Sequence, residues 1–466
     1  MCKPENKNVY SAGSGSNDNT SGMEFSDEFQ AVLPLSPVQQ GMLYHYMLRK
    51  DRAYLEQAVC LVEGELDLEI LEYTVNRLIE ENEILRTIYD YSQPDSPRQI
   101  LLRKRLIKLE MIDLSGMEDQ KNRINVFIEN DADRNIDLTR ETFRIAVMKL
   151  GESRYKMVCT YHHIIMDAWS IKQLEKLFFS TYYSRMKNLV HNNTNYQYSS
   201  YLEWIARQDY EKAREYWSLY LKEASAPIYQ EQLSEKTEIT SINIDISEYP
   251  DRIIRDIALC GKVTYNTVIL AAWGIFVLKN YYKSDAVIGC VVSGRMIDVK
   301  NVEKICGLFV NTVPVLIPGN LSFIELLKKI QGDILKSSKF SYLSLGEIMS
   351  CANLKTNDNF MVINFNIDSE ELIAPYEDFP FVIKDIYYRE LANYELYLDV
   401  KKKQETCSIN INYNRHKFYF DAGDLRDEIT GILEYMKNQL FSSVQDFIST
   451  GNNSDFIAAD VEFNFE

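Results

Sequence analysis

Two histidines stand side by side in the segment YKMVCTYHHIIMDAWSIKQL, residues 155–174, and an aspartate follows four residues after the second. The whole chain has five histidines, so His162 and His163 concentrate proton-exchanging groups in one place. A neutral imidazole, with an ordinary pKa of ~6.5, accepts a proton near neutral pH. Adjacent side chains in extended backbone leave opposite faces. One of the pair is therefore expected to pack inward and the other to meet a substrate, the alternative being a buried pair satisfied by backbone carbonyls. Asp167, one loop-length later, can hold the loop by pairing with a cation. Other chemistries are unsupported. Metalloprotease zinc sites place two histidines at i and i+4 of a helix with a glutamate between them, and here they are adjacent. No GxSxG elbow, Walker loop or GxGxxG occurs.

The elements around the pair explain its presentation. FRIAVMKLG and YKMVCTY, joined by the turn Gly151-Glu152-Ser153-Arg154, read as a hairpin. SIKQLEKLFFSTYYSRM reads as a helix, with Ser170 and Gln173 as a capping box and Ile171, Leu174, Leu177 and Phe178 on one face. HHIIMD then lies in a strand-to-helix loop, where catalytic groups are often carried.

Upstream, LSPVQQGMLYHYML opens a helix at Ser36-Pro37 with Met42, Leu43, Tyr46 and Met47 on one side. QAVCLVEG is a strand, and residues 68–85 form an amphipathic helix with Leu71, Val75, Leu78 and Ile79 inward. RTIYDY and RQILLRKRLIKLEMID read as strands, and YLEWIARQDYEKAREYWSLYL as one helix. The second half repeats the mixture. TVILAAWGIFVLKNYY is a helix, AVIGCVV a strand ending at the sharp turn Ser293-Gly294-Arg295, FMVINFNI and CSININYN are strands, and a helix covers about 425–440. The fold class is α/β, in two lobes.

The 466 residues exceed the size at which one core usually divides, and 46% apolar content supplies material for two. A net charge of −17 argues against nucleic acid or an anionic membrane as partner. Eight scattered cysteines without a CxxC pair favour reduced thiols, no metal site and a cytoplasmic protein. No run of ~20 apolar residues and no signal peptide is present. Residues 1–28 read as a flexible leader or linker, 29–190 as an N-terminal lobe, 191–450 as a C-terminal lobe and 451–466 as a tail.

HHIIMDAWS resembles the HHxxxDG motif of nonribosomal peptide synthetase condensation domains, relatives of chloramphenicol acetyltransferase. LSPVQQGMLYHYM resembles that family's opening motif. ENEILRTIY is similar to its RHExLRTxF, with Asn82 in place of the histidine. YWSLYL, VSGRMIDVKNVEKICGLFVNTVPV and SYLSLGEI follow in the expected order, so the resemblance spans roughly residues 30–445.

The resemblance implies two chloramphenicol-acetyltransferase-like lobes arranged as a V with a tunnel between them. It implies an acyltransferase that forms an amide bond. The amine of a carrier-bound aminoacyl thioester attacks an upstream carrier-bound acyl or peptidyl thioester. LSPVQQGML with AYLEQ after it is similar to the subtype joining an L-configured donor to an L-acceptor. The domain itself is expected to bind no cofactor, its substrates arriving on the phosphopantetheine arms of donor and acceptor peptidyl carrier proteins. An adenylation domain is a further expected partner, and the chain is expected to be monomeric. His163 is the expected proton acceptor and His162 a structural residue. Asp167 is architectural, paired by resemblance with Arg295. Ser293 is a candidate for oxyanion support or a plain turn residue. Trp169, Ser170, Asn311 and Thr312 are candidates near the tunnel, and Trp169 and Trp273 are expected packing anchors. The motif glycine is Ala168 here, harmless if its φ is negative. Competing readings are an epimerisation domain, a recruitment module without chemistry, and a coenzyme A acyltransferase.

Overall fold

The computed structural model describes residues 28–49, 54–190, 196–224, 238–246, 248–281, 284–354, 361–367, 376–390, 394–402 and 407–450. The expected leader (save Glu28) and the expected tail lie outside them. In chain order the first elements are β1 (Phe29–Pro34), α1 (Pro37–Arg49), β2 (Leu55–Gly64), α2 (Leu68–Glu81), β3 (Thr87–Asp90), β4 (Arg98–Leu102), β5 (Glu110–Asp113), α3 (Gln120–Asp133), β6 (Phe143–Lys149), β7 (Arg154–His162), α4 (Ala168–Met186) and α5 (Ser199–Ala206). Then follow α6 (Tyr210–Tyr220), β8 (Ile239–Ile246), α7 (Glu248–Gly261), α8 (Tyr265–Asn280), β9 (Asp285–Val292), β10 (Asn311–Pro318), α9 (Phe323–Ser337), α10 (Leu345–Cys351) and β11 (Met361–Ile367). The last are β12 (Phe381–Glu390), β13 (Leu396–Lys402), β14 (Cys407–Asn414), α11 (Ala422–Asn438) and α12 (Val444–Thr450).

The chain forms two units, and their boundary departs from the expected break at residue 190. Unit 1 is Met1–Gln208 with Ile297–Phe309 and Glu370–Leu391; unit 2 is Asp209–Met296, Val310–Ser369 and Ala392–Glu466. Backbone pairing is the reason. β12 lies antiparallel to β2, Lys384 opposite Leu61, which draws that late segment into the first unit.

Unit 1 holds a five-stranded sheet in the order β12-β2-β7-β6-β5 and a three-stranded sheet β1-β4-β3. The β6–β7 hairpin forms as expected, with Ala146 opposite Val158. Val59, Ala146, Met148 and Val158 of the sheet bury against Ile128 of α3. That helix has few other buried side chains, which is why its periodicity is faint in the sequence. Three expectations change. The helix from Leu68 stops at Glu81, because Asn82 leaves helical geometry at φ −120° and a 3-10 turn follows. Residues 98–113 divide between the two sheets as β4 and β5. The single helix expected over 201–221 is two, the second restarted by Asp209, whose side chain accepts the Lys212 N–H.

Unit 2 is built on a six-stranded sheet, β10-β9-β11-β13-β14-β8. β11 runs parallel to both β9 and β13. Every residue of α8 from Thr267 to Leu278 is buried, so this helix is apolar all round and forms the centre of the core with Trp273. Among the described residues no single helix is long and apolar enough to cross a membrane.

Candidate active site

The histidine pair sits where β7 ends and α4 begins, and each ring leaves the chain in a different direction. His162, the last residue of β7, is 1% exposed. Its Nδ1 accepts the Ile164 backbone N–H at 3.1 Å, which puts the proton of the neutral ring on Nε2. The ring stands edge to face against Tyr46, with centroids 5.3 Å apart. Burial pushes its pKa down to about 3, helped by the neighbouring His163. His162 is therefore a buried ring that stays neutral near neutral pH.

His163 opens a 3-10 turn over His163–Ile165, and its side chain keeps 23% of its surface exposed. Its Nδ1 lies 2.7 Å from the Met166 carbonyl oxygen. A carbonyl only accepts, so Nδ1 carries the hydrogen and, in the neutral ring, Nε2 is the nitrogen that lacks one. The backbone N–H of His163 donates to the Tyr54 carbonyl at 2.8 Å, and Tyr54 holds φ at +61° just before β2. Glu56, on β2 and 7% exposed, places Oε1 3.6 Å from His163 Nδ1.

Two parts of the first unit hold this turn. From α1, Gln39 donates through Nε2 to the Ile164 carbonyl at 3.1 Å, and Tyr89 of β3 donates to the same oxygen at 3.3 Å. Gln39 is itself locked. Its Oε1 accepts the Ser36 N–H at 3.0 Å, while Ser36 Oγ accepts the Gln39 N–H at 3.2 Å. The reciprocal Ser-x-x-Gln box thus belongs to the opening motif and not to Ser170 and Gln173. α4 begins two residues earlier than expected, at Ala168, with Asp167 as its cap.

Asp167 is fully buried, and Oδ1 accepts both the backbone N–H and the hydroxyl of Ser170 at 2.8 Å. Oδ2 accepts the Phe309 N–H at 3.0 Å. Ser170 Oγ also accepts the Gly307 N–H at 3.0 Å and lies 2.7 Å from the Gly307 carbonyl. The indole N–H of Trp169 donates to the Glu303 carbonyl at 2.9 Å. Trp169 is 47% exposed, so it tethers this segment by a hydrogen bond and is not the buried anchor expected of it. Gly307 meets Tyr198 so closely that a Cβ would fall 2.0 Å from Cδ2 of that ring, so no larger residue fits. Ala168 is exposed at the first helical position and is not among the positive-φ residues.

The remaining candidates belong to unit 2. Ser293 is exposed, and its hydroxyl accepts the Arg295 N–H at 3.4 Å across a turn with Gly294 at φ +65°. Arg295 is in that unit too. Buried Asn311 donates to the Ser341 and Leu343 carbonyls at 2.7 and 2.6 Å, bridging β10 to the loop before α10. Thr312 Oγ1 is 3.2 Å from the Tyr394 hydroxyl. Sequence reasoning missed Glu56, Tyr54, Gln39 and Phe309 as parts of the site. Only Gln39 carried a local signal, the Ser-x-x-Gln spacing. Among the described residues no three His, Cys, Asp or Glu side chains are grouped to hold a metal.

Residues 29–446 match the family model described as Condensation domain. The chain is 31% identical over 407 residues to one of the plipastatin synthase proteins of Bacillus subtilis (strain 168), covering 84% of this chain and 11% of that protein. It is 30% identical over 413 residues to gramicidin S synthase 2 of Brevibacillus brevis, covering 85% of this chain and 9% of the relative. It thus spans about a tenth of the length of these relatives. Among solved structures, the X-domain from teicoplanin biosynthesis superposes with a TM-score of 0.76 at 14% identity, covering 91% of this chain and 98% of that one; it is also known in a complex with OxyB. The first condensation domain of the calcium-dependent antibiotic synthetase, in complex with a substrate analogue, gives 0.68 at 15% identity, covering 90% and 99%. Since the family model takes in both histidines, the capping aspartate and nearly every described element, the chain belongs to the condensation domains of nonribosomal peptide synthetases, with the chloramphenicol-acetyltransferase-like fold.

Proposed function

We propose that this domain forms an amide bond between two carrier-bound substrates. The amine nitrogen of the acceptor aminoacyl thioester attacks the donor thioester carbonyl carbon, and Nε2 of His163 takes the proton released as the C–N bond forms. The C–S bond then breaks, the donor arm leaves as a thiol on receiving that proton, and the lengthened chain stays on the acceptor carrier. Both substrates would ride on phosphopantetheine arms of donor and acceptor carrier proteins, with an adenylation domain as a neighbour that supplies loaded acceptor. The opening segment LSPVQQGML supports the subtype that joins an L-donor to an L-acceptor.

The observation that carries the reading is the fixed tautomer of a part-exposed ring: His163 Nδ1 is committed to the Met166 carbonyl, so Nε2 is the basic atom. An α-amino group has an ordinary pKa of ~7.7–8.0 and is partly neutral already, and a thioester is an activated donor, so a strong base is unnecessary. General-base help of ~10²–10⁴-fold, about 3–5.5 kcal/mol, is the smaller share. Holding both arms in a near-attack geometry can supply ~7–11 kcal/mol. His162 and Asp167 serve that positioning from below the loop.

The test combines this domain with donor and acceptor carriers loaded with L-aminoacyl groups, followed by intact mass spectrometry. A mass gain on the acceptor carrier equal to the donor acyl group supports the reading. Racemisation of donor carrier incubated alone would assign an epimerisation domain instead. A recruitment module is the second reading, favoured by the likeness to an X-domain captured with OxyB. Carrier binding without any acyl transfer would establish it.

A further inference from the structure

We propose that Glu56 is a positioning residue for His163, its carboxylate stabilising through space the positive ring that forms when Nε2 takes the proton. This rests on the reading of His163 as the base.

Glu56 is 7% exposed, and carboxylates are seldom buried so deeply without a partner. Among the described residues, His163 is the basic group within ion-pair reach of it, Oε1 lying 3.6 Å from Nδ1. That separation is too long for a hydrogen bond, and the Nδ1–H is already given to Met166 at 2.7 Å. What remains is through-space charge in a poorly solvated site, where it acts more strongly than in water. The backbone makes the placement rigid. Leu55 pairs with His162 across β2 and β7, the Tyr54 carbonyl takes the His163 N–H, and Glu56 follows directly on the central part of the sheet. A carboxylate on β2 and a base in the turn that directly follows the neighbouring strand β7 lose little freedom on coming together, the arrangement expected of a preorganised site.

Other titratable groups near the ring do not substitute for it. His162 is buried and neutral. Tyr54 and Tyr46 face His162 with their rings, and His45 of α1 stands 6.4 Å from Tyr54 between centroids. Asp167 directs both oxygens to Ser170 and Phe309. Arg389 of β12 is turned to Gln57 and Glu129. Glu56 is the carboxylate set against His163 Nδ1.

The experiment titrates the His163 ring by NMR, assigned by loss of its signal in His163→Ala, in the wild-type domain, Glu56→Gln and Glu56→Asp. An anion within ~4–6 Å raises an imidazolium pKa by about 1–3 units, so Glu56→Gln should lower it by about one unit. Glu56→Asp, which keeps the charge, should retain most of the wild-type value. In condensation assays the acid limb of the pH–rate profile of Glu56→Gln should move down by a like amount, while its plateau rate falls about tenfold as the base weakens. A purely structural glutamate would change stability without moving either titration. An unmoved His163 titration in folded Glu56→Gln overturns the proposal. If Glu56→Gln does not fold, a Glu56→Asp titration displaced as far as that of a variant lacking the charge, Glu56→Ala, overturns it equally. Because the NMR titration needs no turnover, a shifted ring in a domain that forms no amide would leave the Glu56–His163 pairing standing and remove only the condensation reading.

Discussion

Asp167 and Phe309 are 142 residues apart in the chain, yet Oδ2 of the aspartate accepts the Phe309 backbone N–H at 3.0 Å while Oδ1 caps α4 through Ser170. One carboxylate therefore fixes both the start of α4, which follows the histidine turn, and the segment at Phe309. Removing the cap costs about 1 kcal/mol, and leaving a buried N–H without an acceptor about 1–3. Asp167→Ala is expected to lose roughly 2–4 kcal/mol and much of its soluble yield. Asp167→Asn keeps an oxygen for Ser170 but presents N–H to N–H at Phe309, and should lose about 1–3. His163→Ala, which removes one part-exposed ring, should lose less than about 1. Urea midpoints compare the three; equal losses in Asp167→Ala and His163→Ala would contradict the division of roles.

His162 makes stability depend on pH. Its pKa is about 3 in the folded domain against 6.5 ordinarily, because burial disfavours the charged ring. On acidification the unfolded chain takes the proton first. Stability is complete above pH ~6.5 and is lost progressively as pH falls toward ~3, at about 1.4 kcal/mol per unit. Urea midpoints between pH 8 and 4 should fall less steeply for His162→Asn, which retains an acceptor for Ile164, than for wild type. Parallel curves would show that the ring is not buried in its neutral form.

Ala168 replaces the motif glycine without strain. It occupies the first position of α4, is exposed and avoids positive φ. Ala168→Gly should change the condensation rate less than about twofold and reduce stability by at most about 1 kcal/mol through lost helix propensity. A large gain in rate would mean that the methyl obstructs an arm.

Local pattern revealed the β6–β7 hairpin and the strand-to-helix turn because alternation and helical spacing each act over a few residues. It mislocated the cap, since Asp167 and Ser170 are both capping residues at compatible spacing and the earlier one governs. It also carried the helix from Leu68 past Asn82, where the apolar pattern continues into a 3-10 turn. The support of the site was invisible for a different reason. Phe309 reaches Asp167, Gln39 reaches Ile164 and Glu56 reaches His163 only after strands and loops far apart in sequence have paired. The boundary between units was hidden likewise, because β12 pairs with β2, and nothing local in either strand announces it.

The most direct measurement is single-turnover amide formation by wild type and by folded His163→Ala, using the same loaded carriers. A fall of ~10²–10⁴-fold at unchanged carrier binding is the expected result. Undiminished turnover in the variant would contradict proton transfer to His163.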